Sequence, residues 1–209
     1  MIGIFGGTFD PVHHGHLRVA LDVKEAIGLQ QVRLIPLAQA VHRQQPLASA
    51  EQRWAMLQLA LEGHPELIAD PCELQRGGPS YMLDTLRALK QAQPQTALCL
   101  MVGGDAFNHF LAWRGPTEIL KLANILVMQR PGHDLPADSD LRRLLDQHAI
   151  PDPTRFAASQ AGHIHIHPVT QLAISSSDIR ARIAAGLDPS FLLPDPVIDM
   201  IRQQQLYRC

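Results

Sequence analysis

Short apolar runs alternate with segments of helical period along this chain. IGIFG (2–6), VRLIP (32–36), LIADPCEL (67–74), TALCLMVG (96–103) and NILVMQR (124–130) read as strands, and several stop at glycine or proline. HIHIHP (163–168) alternates with period two and reads as a further strand. Helical spacing falls between them. Leu17, Ala20, Leu21, Val23 and Ile27 make one apolar face over 14–27, with Gly28 as the stop. Residues 49–62 form a second helix, with Ser49 and Gln52 in a capping box. SYMLDTLRALKQA (80–92) is a helix capped by Ser80, 117–122 is helical, and 175–186 and 194–207 close the chain. Residues 38–48 have neither period and read as a loop. The Pro- and Asp-rich stretch 131–155 reads as an excursion with one helix, 138–148.

Apolar strands separated by helices predict βαβ units and a parallel sheet covered on both faces. The expected fold is α/β, a Rossmann-like doubly wound parallel sheet with C-terminal helices, built as a single domain over 1–209 whose C-terminal helical part starts near 175. Ligands of such sheets bind at the carboxyl ends of strands near a topological switch. Two strand ends there carry unusual residues, Gly6–Gly7 and Gly103–Asp105, and Ser175–Ser177 lies just past 163–168.

Composition narrows the classes. At 209 residues and 46% hydrophobic, the chain can bury a sizeable core, and disorder is disfavoured. A net charge of −2 argues against nucleic-acid binding. MIGIFGGTFD lacks a basic n-region and a long apolar run, so no signal peptide and no membrane span are expected. Cys72, Cys99 and Cys209 are widely spaced and suggest free thiols in a cytoplasmic protein. The 11 histidines are the odd feature.

Two of those histidines carry chemistry. In GGTFDPVHHGHL (6–17), His13 and His16 are three residues apart at the start of a helix, a spacing that can bring both rings to one side. Paired imidazoles can donate to phosphate oxygens and stabilise charge developing there. Gly15 leaves room for a ligand beside the backbone, and the helix N-terminus favours anions. A tight turn with capping or packed histidines is the bland alternative; zinc lacks a recognisable third ligand. Ser175–Ser177 precede a second helix, where an ordinary serine cap would suffice. Arg180 alters that balance, because a cation in the first helical turn opposes the macrodipole unless an anion sits there.

GGTFDPVHHGHL resembles the HxGH signature of the nucleotidyltransferase superfamily. Together with SYMLDTL (80–86), GGDAF (103–107), RPG (130–132) and ISSSDIR (174–180), in this order, it resembles bacterial nicotinate-nucleotide adenylyltransferases over nearly the entire chain. The resemblance implies adenylyl transfer from ATP to nicotinate mononucleotide in NAD biosynthesis. It implies catalytic roles for His13, His16 and Arg180. It puts Gly7, Thr8, Phe9, His16, Gly104, Asp105, Ile174, Ser175, Ser176 and Arg180 around ATP. Arg43, Tyr81, Asp84, Thr85, Asp105, Trp113 and Arg130 would surround the acceptor, with Trp113 stacking on the pyridine ring and amides near Thr85 meeting its carboxylate. Mg²⁺ is expected, carried mainly by the ATP phosphates and without a protein metal site. The chain would act as a monomer or homodimer.

Two departures from the family pattern touch the acceptor loop. AVHR (40–43) keeps His42 but has Arg43 for the usual lysine, and Arg114 follows Trp113 where many relatives have tyrosine. Rival readings are the same chemistry on phosphopantetheine or in a cytidylyl-type reaction, and a nucleotide-binding module without turnover. His163, His165 and His167 read as an exposed or interface face of a strand. Arg53 reads as helix surface or, by resemblance, as a site-edge residue.

Overall fold

A computed structural model describes residues 1–41, 45–129 and 139–208. Its sheet has six parallel strands: β1 (Ile2–Gly7), β2 (Val32–Pro36), β3 (Leu67–Ala69), β4 (Leu98–Gly103), β5 (Asn124–Gln129) and β6 (Ile164–Pro168), in the order β3-β2-β1-β4-β5-β6. The helices are α1 (His14–Ile27), α2 (Ala50–Leu61), α3 (Cys72–Arg76), α4 (Met82–Ala92), α5 (Gly104–Phe107), α6 (Pro116–Leu122), α7 (Ser139–His148), α8 (Pro153–Ala157), α9 (Ser176–Ala184) and α10 (Asp195–Gln203). A short 3₁₀ turn, Phe110–Ala112, follows α5. This is the expected α/β doubly wound arrangement. Winding reverses between β1 and β4, so the switch crevice opens at Gly6–Gly7 and Gly103.

The two sheet faces divide the apolar strand residues by alternation. Ile2, Ile4, Leu98, Leu100, Val102, Ile125 and Val127 pack in one core with Leu83 and Leu86 of α4, Ile119 and Leu120 of α6, and Leu141 and Leu145 of α7. Phe5, Val32, Leu34, Cys99, Met101, Leu126 and Met128 face the other core, under Ala20, Val23 and Ile27 of α1, Met56 and Leu57 of α2, and Val197, Ile198 and Ile201 of α10. Both faces are buried, which is why these strands read as continuous apolar runs rather than alternating ones.

Four expectations are corrected. The strand expected over 67–74 ends at Ala69, because Pro71 cannot donate to the ladder and the Asp70 carboxylate accepts from the Cys72 amide at 3.0 Å, turning the chain into α3. Ser80 does not cap α4: its hydroxyl accepts from the Ala38 amide at 2.8 Å, and Tyr81 stands at the N-cap. On the face expected to be exposed or an interface, His165 is covered within the chain, while His163 and His167 are half-buried. α8, started by Asp152 accepting from the Thr154 amide at 2.8 Å, brings Phe156 to 5.2 Å from the His165 ring, and His165 Nδ1 bonds the Ile150 carbonyl at 2.8 Å. The closing helix stops at Gln203; Gln205 and Tyr207 take positive φ (53° and 64°) and turn the chain back. The Ser49–Gln52 capping box forms as expected.

Candidate active site

The β1–α1 loop lies at the switch crevice. His13 is the N-cap of α1 and 5% exposed. Its amide donates to His16 Nδ1 at 3.3 Å, and the two rings stack with centroids 3.7 Å apart. Because His16 Nδ1 accepts, its proton sits on Nε2, which is left to donate outward. Burial, then His14, lowers the His13 pKa to about 4; burial, then His13, holds His16 well below its usual value. Both rings are therefore neutral at pH 7. Phe9, also expected around ATP, has a ring 1% exposed, edge-on to His16 at 5.1 Å and to Phe5 at 5.9 Å, which leaves its backbone as the group that could meet ATP. It supports His16 from below, and no ligand can reach the ring.

Close packing favours glycine at position 15. A Cβ there would meet the His13 ring at 3.0 Å and the Ile174 carbonyl at 3.6 Å. Ile174 thus lies against the HxGH turn, and the serine motif docks beside it. Ser175 caps α9 by accepting from the Asp178 amide at 3.1 Å. Ser176 Oγ donates to the Pro11 carbonyl at 2.9 Å, and Arg180 Nη1 to the Asp10 carbonyl at 2.6 Å. Arg180 also pairs with Asp10 Oδ2 at 3.7 Å, so an internal carboxylate answers part of the charge that sequence reasoning assigned to an anion at this helix end.

Sequence reasoning missed what holds this loop. Asp10, 3% exposed, accepts from the amides of Leu47 (2.9 Å) and Ala48 (3.1 Å) and from the Tyr207 hydroxyl (2.7 Å). Arg53 is neither helix surface nor site edge: it is 1% exposed and its Nη1 donates to the Thr8 carbonyl at 2.9 Å. These partners lie 37 to 197 residues away in sequence. The one local hint is that Asp10 stands between apolar residues, in the run Phe9–Val12.

Beside the loop opens a cleft of about 720 Å³, lined among others by Gly7, Thr8, Tyr81, Asp105, Trp113 and Arg114. Trp113 packs edge-on against Phe110 at 5.6 Å, and the Arg114 guanidinium lies 4.8 Å over the Tyr81 ring. Asp105 is exposed at the end of β4, and Gly104 starts α5 behind it without lining the cleft. Two residues expected around the acceptor have side chains held by protein partners. Thr85 is 0% exposed, its hydroxyl donating to Glu73 at 2.5 Å and accepting from Arg76 at 3.1 Å. Asp84 pairs with Arg114 at 3.1 Å and Arg87 at 3.4 Å and does not line the cleft. Both side chains satisfy neighbouring charges within the α3–α4 and α4–α6 region. Arg43, Arg130 and the rest of RPG (130–132), and His42 lie outside the described residues.

The Cytidylyltransferase-like family pattern matches residues 4–182, which span the HxGH turn and the serine–arginine motif. The chain is 44% identical over 208 residues to "Probable nicotinate-nucleotide adenylyltransferase" of Methylococcus capsulatus, covering 99% of both proteins. It is 43% identical over 208 residues to a protein of the same name from Hydrogenovibrio crunogenus, covering 100% of this chain and 98% of that one. The chain belongs to the nicotinate-nucleotide adenylyltransferase family. Among solved structures, Plasmodium falciparum nicotinic acid mononucleotide adenylyltransferase complexed with NaAD has the same fold, with a TM-score of 0.75 at 16% identity over 99% of this chain and 96% of that one. As in this family generally, the enzyme is a nucleotidyltransferase. No helix among the described residues is long and apolar enough to cross a membrane.

Proposed function

We propose that this enzyme transfers the adenylyl group of ATP to nicotinate mononucleotide, giving nicotinate adenine dinucleotide and pyrophosphate. The observation that carries the reading is the joining of two unlike sites at one switch crevice. A stacked pair of neutral histidines beside the α9 N-terminus meets an aromatic-lined cleft through Gly7 and Thr8. The names of the relatives support the same acceptor.

In this reading a phosphate oxygen of the acceptor attacks the α-phosphorus in line, and the bond to the β-phosphate oxygen breaks as pyrophosphate leaves. No protein nucleophile is used; positioning and charge stabilisation supply the rate. His16 Nε2–H donates to the α-phosphate, and His13, held against it, shares the charge that accumulates. Ser176, Arg180 and the amides at the α9 start take the remaining phosphates. Trp113 faces the pyridine ring, Tyr81 and Arg114 border it, and Asp105 accepts from a ribose hydroxyl. Arg114 is the one Arg or Lys among the described cleft-lining residues; exchanging its Asp84 partner for an acceptor carboxylate keeps the charge paired, which a carboxamide would not.

Among the described residues no group of three or more His, Cys, Asp or Glu side chains could hold a metal. In this reading Mg²⁺ comes on the nucleotide, with phosphate and water as its ligands. Mg²⁺ would neutralise phosphate charge when bound. The test is pyrophosphate release from MgATP with each candidate acceptor in turn. Release with nicotinate mononucleotide is expected. Release with nicotinamide mononucleotide or phosphopantetheine, and none with nicotinate mononucleotide, would overturn the reading.

A further inference from the structure

The C-terminal segment packs behind the β1–α1 loop that forms the phosphate end of the crevice. After α10 the chain turns back, with the Leu206 amide donating to the Ile201 carbonyl at 3.0 Å, and lodges Tyr207 between Met56 and the loop. The Tyr207 hydroxyl is 2.7 Å from Asp10 Oδ1, which also takes the Ala48 amide. The other oxygen, Oδ2, takes the Leu47 amide and faces Arg180 at 3.7 Å. Asp10 therefore has two kinds of partner: neutral donors that spread its charge, and the cations Arg180 and the buried Arg53, of which Arg180 is the one the nucleotide phosphates also need. Burial, then Asp10, raises the Tyr207 pKa, so the phenol stays a donor.

We propose that Tyr207 is a positioning residue for the nucleotide-phosphate site, acting through Asp10 on Arg180. By donating to Oδ1 it holds the loop of residues 8–13 and weakens the grip of Asp10 on Arg180, leaving the guanidinium free to turn toward phosphate. Without the phenol, the buried carboxylate satisfies itself with Arg180 instead, and the phosphates lose that partner. This rests on the reading that Arg180 faces ATP.

The test is Tyr207→Phe, which removes one oxygen and keeps the ring. ATP affinity, measured by calorimetry without acceptor, is expected to fall about tenfold. The acceptor KM should stay within about twofold, and kcat should recover at saturating ATP. The same substitution in an Asp10→Asn background should change ATP affinity by less than about twofold, because Tyr207 acts through the charge of Asp10. A lower thermal midpoint with unchanged ATP affinity would make Tyr207 merely structural and overturn the proposal. So would an equal loss in the Asp10→Asn background. A wild-type protein that binds no ATP would overturn the proposed function together with this inference. Normal wild-type binding, unmoved by Tyr207→Phe, would overturn the inference alone.

Discussion

The two ends of the crevice are built differently. At the phosphate end the loop is held by partly buried polar contacts from four residues: Arg53 on the Thr8 carbonyl, Ser176 and Arg180 on the carbonyls of Pro11 and Asp10, and Tyr207 on Asp10. At the acceptor end Asp105 and Arg114 are exposed, and Trp113 and Tyr81 are half-buried on a wide cleft. Polyphosphate is a small, highly charged target whose transition state rewards donors fixed in advance. A pyridine nucleotide is larger and partly apolar, so stacking area and a charged rim suffice. The contrast implies that substitutions at the phosphate end strike turnover and those at the cleft strike acceptor affinity.

His16→Ala is the strongest way to break that contrast. Loss of the Nε2 donor is expected to lower kcat about 10²–10³-fold while acceptor affinity, measured by calorimetry, holds. Equal losses in both would erase the division of labour. Trp113→Ala should do the opposite, raising the acceptor KM about tenfold through lost stacking with ATP affinity unchanged. Steady-state kinetics with each substrate varied separates the two outcomes.

The smallest effect expected is on stability against pH. His13 has a folded pKa of about 4 against an ordinary 6.5, so between those values the unfolded chain binds a proton that the native chain refuses. Its contribution is fully present above pH 6.5, declines as pH falls, and levels off below 4. His16 adds in the same direction. Each histidine can steepen the loss by at most about 1.4 kcal/mol per pH unit. Chemical denaturation from pH 7 to 5 checks this. His13→Asn should flatten the slope, and a slope identical to wild type would contradict the neutral stacked pair.

Much of the frame was legible from residue order. Strands β1, β2, β4 and β5 are short apolar runs because the sheet is covered on both faces, and α1, α2 and α4 have clear helical spacing. Local chemistry also marked Gly15 between His13 and His16, and the serines at the start of α9. The misreadings share one cause. Asp70 and Pro71 cut short an apolar strand pattern, and Ser80 spends its hydroxyl on Ala38, 42 residues away, instead of capping its own helix. His165 read as exposed or at an interface because period two says which residues share a face and not whether a later helix covers it.

By itself, then, the sequence determined the alternation of strands and helices, the doubly wound sheet and the two motifs at its carboxyl edge. Those follow from side-chain periodicity and from backbone freedom at glycine, which are local properties. Only the tertiary structure decided that Arg53 and Tyr207 brace the phosphate loop from distant segments through Thr8 and the buried Asp10, and that the Thr85 hydroxyl is taken up by Glu73 and Arg76. A buried polar group must find a partner, but its choice depends on which distant segments the packed core brings within hydrogen-bond reach.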